Sequence, residues 1–255
     1  MKSPIVLIGV GEMGGVFARA LLRAGHPVFP ITRDMDMAVE AAALPDPDLV
    51  LISVAEKDLA AVLTQLPDRW RARAGLLQNE LLPRDWLAHG LSEPTVISVW
   101  FEKKKGQDAK VLIPSPAFGP KADLLVNALQ GIDIAARSVP SASAMRDELV
   151  LKNVYILTTN IAGLVVGGTV SELWRDHEAL AREVAGEVVQ IQAWLTGEQL
   201  DSEALIQGML VAFDGDPDHG CMGRSAPARL ARALELADQA GLSVPKLRAI
   251  RTAHS

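Results

Sequence analysis

The chain has a single cysteine, Cys221. It can form no intrachain disulfide, and such sparse cysteine fits a reducing compartment. Positive charge is also scarce, with 25 Lys and Arg against 31 Asp and Glu and a formal net charge of -6. That balance gives no electrostatic reason to expect nucleic acid or an anionic membrane as partner. No uninterrupted apolar run is long enough to span a bilayer, and no basic stretch, apolar stretch or cleavage site precedes the first strand. These absences predict a cytoplasmic, enzyme-sized protein. Repeats and low-complexity tracts are missing as well. His219, Cys221 and the nearby aspartates lack any standard metal-ligand spacing, so no metal is expected. What is there is 255 residues, 49% hydrophobic and 22% charged, enough for one large globular domain or two modest ones.

The most informative stretch lies near the N-terminus. Ile5-Val-Leu-Ile8 is apolar without alternation, the pattern of a strand buried on both faces. It runs into Gly9-Val10-Gly11-Glu12-Met13-Gly14, and a helical pattern follows directly. This is the context a dinucleotide-binding turn requires. Gly9 permits the tight turn, Gly11 lets the backbone approach a pyrophosphate, and Gly14 lets the helix pack close to the strand. The helix N-terminus then faces the phosphate charge.

The spacing predicts a helix from about Met13 to Ala24, stopped by Gly25, then a strand over Val28–Thr32. A third strand, Leu49–Val54, follows the turn-rich Pro45-Asp-Pro-Asp48, and a helix follows over Leu59–Leu66. Shorter strands are expected at Gly75–Gln78, Thr95–Trp100, Lys110–Ile113 and Ile132–Ala136, with a helix at Lys121–Leu129. Glu102-Lys-Lys-Lys105 reads as a solvated hairpin or loop. Alternating strands and helices predict an α/β, doubly wound, mostly parallel sheet. Composition changes at Pro140-Ser-Ala-Ser143, which places a domain boundary between residues 1–140 and 141–255. Beyond it only helical patterns occur. One carries Leu180, Val184, Val188, Ile191 and Leu195 on a stripe and ends at Gly197; another begins near Ser225-Ala-Pro227 and stops at Gly241.

Several residues could carry chemistry. Where a dinucleotide fold discriminates the adenosine ribose, this chain has Thr32-Arg33, and an Arg there pairs with the extra phosphate of NADP. A one-residue shift would instead present Asp34 to the ribose of NAD, the less favoured cofactor. Asn79 ends a strand at the carboxyl edge of the sheet, where it either hydrogen-bonds nicotinamide or substrate or serves as a plain turn residue. On the predicted helix Leu149–Gly163, Val150, Val154, Leu157 and Ile161 share one arc, and Lys152, Thr159, Asn160 and Gly163 the opposite one. The second arc faces water in an ordinary surface helix. Its single lysine amid amides, hydroxyls and small residues equally suits a cleft, where a lysine of lowered pKa could protonate a carbonyl oxygen. The loop Asp214–Pro227 feeds a helix N-terminus; Ser225 is a candidate N-cap and Arg224 a candidate carboxylate clamp, and a plain surface loop is the alternative. Cys221 has no base of fixed geometry nearby and receives no catalytic role. His26, His89, His177 and His254 read as turn or surface residues.

Taken together, Gly9-x-Gly11-x-x-Gly14, Leu77-Gln-Asn79, Lys152 with Asn160 eight residues on, and Ala240-Gly-Leu-Ser-Val-Pro245 resemble the ketopantoate reductase family over nearly the whole chain. The resemblance implies a Rossmann-type N-terminal domain and an all-helical C-terminal domain, with NADPH reducing a small 2-oxo acid. It implies Lys152 as general acid, Asn79 near nicotinamide and substrate, and Asn160 near the substrate. Arg224 and Ser225 join Asn160 as candidates for holding the substrate carboxylate. Helical domains of this kind often pair, which makes a homodimer an expectation by analogy. The chain departs from the pattern at Ile156, where the family carries a second asparagine, and at Ser225, which stands where it carries a catalytic-site glutamate. A lysine often seen in the family at the end of the third strand is absent from Ala55, with Lys57 nearby. Asp214, Asp216, Asp218 or His219 could supply a missing polar group. Two other functions follow from the same residues: a β-hydroxyacid dehydrogenase, which would oxidise a 3-hydroxy acid, and a noncatalytic NADP-binding sensor or interaction protein, suggested by Ile156 and Ser225.

Overall fold

The computed structural model describes residues 2–44 and 46–254; Pro45, at the start of the turn before the third strand, lies outside them. The chain divides into two compact units, Met1–Leu149 and Val150–Ser255.

The first unit runs β1 (Ile5–Ile8), α1 (Glu12–Arg23), β2 (Val28–Ile31), α2 (Met37–Ala43), β3 (Leu49–Ile52), α3 (Glu56–Gln65), α4 (Asp68–Arg71), β4 (Ala74–Leu76), α5 (Pro83–Leu87), β5 (Thr95–Ile97), β6 (Phe101–Glu102), β7 (Lys110–Val111), β8 (Ser115–Phe118), α6 (Ala122–Gln130) and β9 (Ala136–Ser138). Seven strands form one sheet in the order β2-β1-β3-β4-β5-β8-β9, while β6 and β7 form a separate hairpin. Within this sheet pairing is parallel from β2 through β5 and between β8 and β9, and antiparallel between β5 and β8. Every residue of β1 and β3 is buried, as strands covered on both faces must be, and Pro30 sits in β2 at the sheet edge, where a missing donor costs no ladder bond. Chain order reverses across β1, with β2 on one side and β3 on the other. In open α/β sheets that reversal opens a ligand crevice outside the carboxyl ends of the strands.

Several elements depart from what the sequence pattern predicts. Strand β8 carries no strand signal, because Ser-Pro-Ala-Phe holds a proline and no apolar alternation. Its ladder with β5 stops at Pro116, whose carbonyl accepts from the Ser98 N–H but which has no N–H to return. The last strand is Ala136–Ser138 rather than Ile132–Ala136; residues 131–133 turn instead, with Asp133 at φ +63. Helix α2 is a further addition, started by the Asp36 carboxylate accepting from Ala38 and Val39 N–H. Lys103 is not simply solvated, since its ammonium lies 3.3 Å from Glu12 Oε2. His26 is buried, with Nδ1 2.9 Å from the Ser3 carbonyl.

Helix α7 (Ala142–Val166) begins at the composition change and carries the chain into the second unit, so the boundary between the units falls inside it. It starts well before the expected Leu149. The second unit continues with α8 (Val170–Thr196), α9 (Ser202–Gly215), α10 (Ala226–Ala240) and α11 (Pro245–Ala253). Helix α8 opens with a capping box between Thr169 and Glu172, and both α8 and α10 end on left-handed glycines, Gly197 and Gly241. Buried Glu187 of α8 accepts from the N–H groups of Lys246 and Leu247, capping α11 from outside. By length and composition α7 could cross a membrane, but 72% of its most apolar window is buried inside the protein. Its contacts are those of a core helix: Asn153 Nδ2 donates to Gln192 Oε1 of α8 at 3.0 Å, the Tyr155 ring meets Phe213 of α9 edge-on, and Leu151 closes over Gly208.

Candidate active site

In the first unit the glycine turn has the geometry a phosphate site needs. Gly9 adopts φ +91, and a Cβ there would stand 3.1 Å from the Ser53 backbone. A Cβ on Gly14 would fall 2.3 Å from the Gly9 carbonyl oxygen and 2.7 Å from Ser53 Oγ, so α1 reaches β1 and β3 only because residue 14 has no side chain. Gly11 is different: a Cβ on it would meet nothing within 4 Å. No protein neighbour requires glycine there, and the residue is the N-cap of α1 with no side-chain cap of its own. An open backbone at a helix N-terminus suits the close approach of a pyrophosphate.

Gly9, Val10 and Gly11 line a cavity of about 600 Å³ together with Ile31, Thr32 and Arg33 at the end of β2 and Ser53, Val54, Ala55 and Asp58 beyond β3. All three strands contribute their carboxyl ends, the edge expected to bind the dinucleotide. Arg33 is on the wall, 3.9 Å from Asp58 and with its side chain 93% exposed; Asp34 is not among the lining residues. Glu12 faces a second cavity of about 570 Å³ with Arg19 and Lys103, while Met13 packs on the hydrophobic core and Gly14 supports the turn from behind. Asn79 follows β4, half-buried, and donates through Nδ2 to Glu56 Oε1 at 3.1 Å; its neighbour Gln78 ties β4 to the Ile52 carbonyl at 2.7 Å. A larger concavity of about 700 Å³, lined by Trp86, Phe118 and Met145 among others, opens near the start of β5, away from the glycine turn.

In the second unit, the polar arc of α7 does not face water. Lys152, Thr159 and Asn160 are all buried. Gly163 explains how the arc closes: a Cβ there would meet Cys221 Cβ at 2.9 Å, so the loop after α9 lies directly on the helix. That loop is anchored to the α7–α8 turn by Val170 N–H to the His219 carbonyl and Cys221 N–H to the Gly168 carbonyl. Asn160 donates to the Cys221 carbonyl at 3.4 Å and accepts from Arg229 Nη1 at 2.8 Å. Burial, and then the charge of Arg229, lower the Lys152 ammonium to about 7. The Lys152 Nζ lies 5.3 Å from the Tyr155 ring centre; Tyr155 also packs against His219, which pairs with buried Asp216 at 3.6 Å. A buried amine that is half-protonated near neutral pH can give or take a proton.

The structure therefore brings Lys152 and Asn160 together through Arg229, a residue that no sequence motif marks. Arg224 and Ser225 are exposed, and Ser225 occupies the N-cap position of α10 without a side-chain capping bond. Asp214 and Asp218 are exposed too, leaving Asp216 and His219 as the inward polar groups of that loop. Burial and the charge of Glu172 push the Cys221 thiol up to about 11, which keeps it protonated and poorly nucleophilic near neutral pH.

No family model and no curated protein matches the sequence. Solved structures do match, over nearly the full length of both chains. A PanE/ApbA family ketopantoate reductase from Ralstonia eutropha JMP134 superposes with a TM-score of 0.70 at 19% identity, covering 98% of this chain and 96% of that one. A dimeric ketopantoate reductase from Staphylococcus aureus gives 0.66 at 17% identity, covering 98% and 96%. A D-mandelate dehydrogenase solved with NADH and anilino(oxo)acetate gives 0.67 at 13% identity, covering 97% and 96%. The chain shares the fold of these oxidoreductases: a Rossmann-type sheet followed by a helical unit.

Proposed function

We propose that this chain is a nicotinamide-dependent oxidoreductase that interconverts a small 2-oxo acid and its 2-hydroxy acid, with NADPH as reductant and Lys152 as general acid. The observation that carries the proposal is a buried lysine lowered to about 7 and grouped with Asn160 and Arg229, in a chain whose other unit presents an open glycine turn. Gly9, Val10 and Gly11 would hold the pyrophosphate and Arg33 the ribose phosphate. Asn79, with Nδ2 engaged by Glu56, would offer Oδ1 to the nicotinamide amide. When bound, the nicotinamide supplies a hydride to the carbonyl carbon. Lys152 gives its proton from Nζ to the carbonyl oxygen, and in the reverse direction takes it back. The solved ketopantoate reductases and D-mandelate dehydrogenase of the same fold support this class of reaction, and the dimeric one supports a homodimer.

NADH has one observation in its favour: Asp58, on the same wall as Arg33, could accept from ribose hydroxyls. A panel of 2-oxo acids, 3-oxo acids and neutral ketones, assayed with NADPH and with NADH by nicotinamide absorbance, tests cofactor, reaction and substrate together. Turnover of 2-oxo acids with a preference for NADPH is expected. Turnover confined to 3-oxo acids would select a β-hydroxyacid dehydrogenase, and tight NADPH binding without turnover would select a noncatalytic sensor.

A further inference from the structure

Glu12 carries a negative charge at the end of α1 where an anion is expected to bind. It is the first residue of the helix and follows directly on the open Gly11 N-cap. Alone, a carboxylate there is stabilised by the helix N-terminus, because the unpaired N–H groups and the dipole favour negative charge. A dinucleotide pyrophosphate is drawn to the same helix end for the same reason. Two anions at one terminus repel, so Glu12 opposes the ligand that the glycines admit. The fold answers that charge from a distant part of the chain. Lys103, which follows β6 in the β6–β7 hairpin, places Nζ 3.3 Å from Glu12 Oε2 and donates to the Lys104 carbonyl at 2.8 Å. Lys104 and Lys105 are exposed, whereas the Lys103 side chain is only 20% exposed. Gly11, Glu12, Arg19 and Lys103 line one cavity of about 570 Å³, along with Asp108 and Asp133. Lys103 is the one cation in ion-pair contact with Glu12 among the described residues; Arg19, further along α1, makes no such pair.

Resting on the dinucleotide reading above, we propose that Lys103 is a positioning residue for the cofactor: it holds and neutralises the Glu12 carboxylate, so that a pyrophosphate meets a helix end of positive charge. Without Lys103 the cavity keeps the carboxylates of Glu12, Asp108 and Asp133 against the single guanidinium of Arg19. The pair thereby makes dinucleotide binding depend on the β6–β7 hairpin, an element outside the glycine turn. Ion pairs this exposed contribute little to stability, so removing one charge reads mainly on the incoming anion. The effect belongs to the pyrophosphate and is shared by NADPH, NADH and ADP-ribose. Arg33 differs in this respect, since the ribose phosphate it would hold occurs in NADPH alone.

The test measures dissociation constants of the full-length protein, for NADPH and NADH by fluorescence titration and for ADP-ribose by calorimetry. Lys103→Gln is expected to weaken all three by a similar factor of about tenfold at low ionic strength, and the factor should shrink in about 1 M NaCl. Lys103→Arg, which keeps the charge, is expected to bind like wild type. Glu12→Gln is expected to bind at least as tightly as wild type. The double variant Glu12→Gln, Lys103→Gln should recover to within about twofold of Glu12→Gln, because neither charge is then left alone. A pair that merely ties the hairpin to α1 gives another pattern: Glu12→Gln weakens ADP-ribose as much as Lys103→Gln does, and this overturns the proposal. A double variant as weak as Lys103→Gln also overturns it, since Lys103 would then bind the pyrophosphate itself. So does Lys103→Gln binding ADP-ribose within about twofold of wild type. Should Lys103→Gln fail to fold, Glu12→Gln alone decides, because weakened ADP-ribose binding there contradicts the proposal. In each of these cases the wild type binds dinucleotide and that reading stands. A wild type that binds none of the three ligands overturns both.

Discussion

Lys152 should leave a mark on stability that is independent of catalysis. Its ordinary value of 10.5 falls to about 7 in the folded protein, chiefly through burial. Between those two values the unfolded chain binds a proton that the folded chain does not, so stability rises with pH across the window. Integrating the two titrations from about pH 7 to about pH 9 gives a gain on the order of 2 kcal/mol from this one group. Lys152→Met removes it, and the methionine replaces an aliphatic stem of similar length. Urea unfolding of both proteins, followed by circular dichroism at several pH values, reads the difference. The stability advantage of the methionine variant should be largest near neutrality and shrink by about that amount toward pH 9. Cys221 works in the opposite sense, because its folded value is raised to about 11 from 9.0, but its contribution is lost only above the ordinary thiol range. It is also common to both proteins and cancels. Parallel stability curves would refute the assignment of a depressed lysine at position 152.

The same shift would set the pH dependence of the proposed reaction. If Lys152 is the general acid, reduction needs it protonated, so kcat/KM should fall about tenfold per pH unit above about 7, and oxidation of the hydroxy acid should fall below it. Arg33→Ala should raise KM for NADPH by about tenfold and leave NADH little changed, measured by steady-state kinetics with each cofactor. The two glycines of the turn should separate. Gly11→Ala, which meets no protein atom within 4 Å, should cost less than about 1 kcal/mol of stability yet weaken NADPH binding by fluorescence titration. Gly14→Ala drives a methyl into the Gly9 carbonyl and should lower both stability and binding.

The architecture is legible in the sequence wherever local chemistry decides it. The unbroken apolar runs of β1 and β3 could only be strands covered on both faces, and Gly197 and Gly241 close α8 and α10 as expected. Elements held by non-local pairing are not legible: β8 survives its proline because β5 and β9 supply the remaining ladder. In the site, Lys152 and Asn160 stand out because a polar arc with one charge is unusual. Arg229 does not, since on α10 it falls among Arg232 and other charges, and only the fold shows that it turns inward to Asn160. One signal is present: Arg229, Leu230 and Ala233 share the apolar side of the helix, and an arginine on that side asks for a buried partner.

The central proposal is that Lys152 is the proton donor in the reduction of a 2-oxo acid by NADPH. Lys152→Met, assayed with NADPH and the best 2-oxo acid of the wild-type panel, tests it most directly, with NADPH affinity measured on the same preparation. Turnover should fall by several orders of magnitude while NADPH binds with little change. A variant that binds NADPH normally and reduces the 2-oxo acid at a rate comparable to wild type would contradict the account.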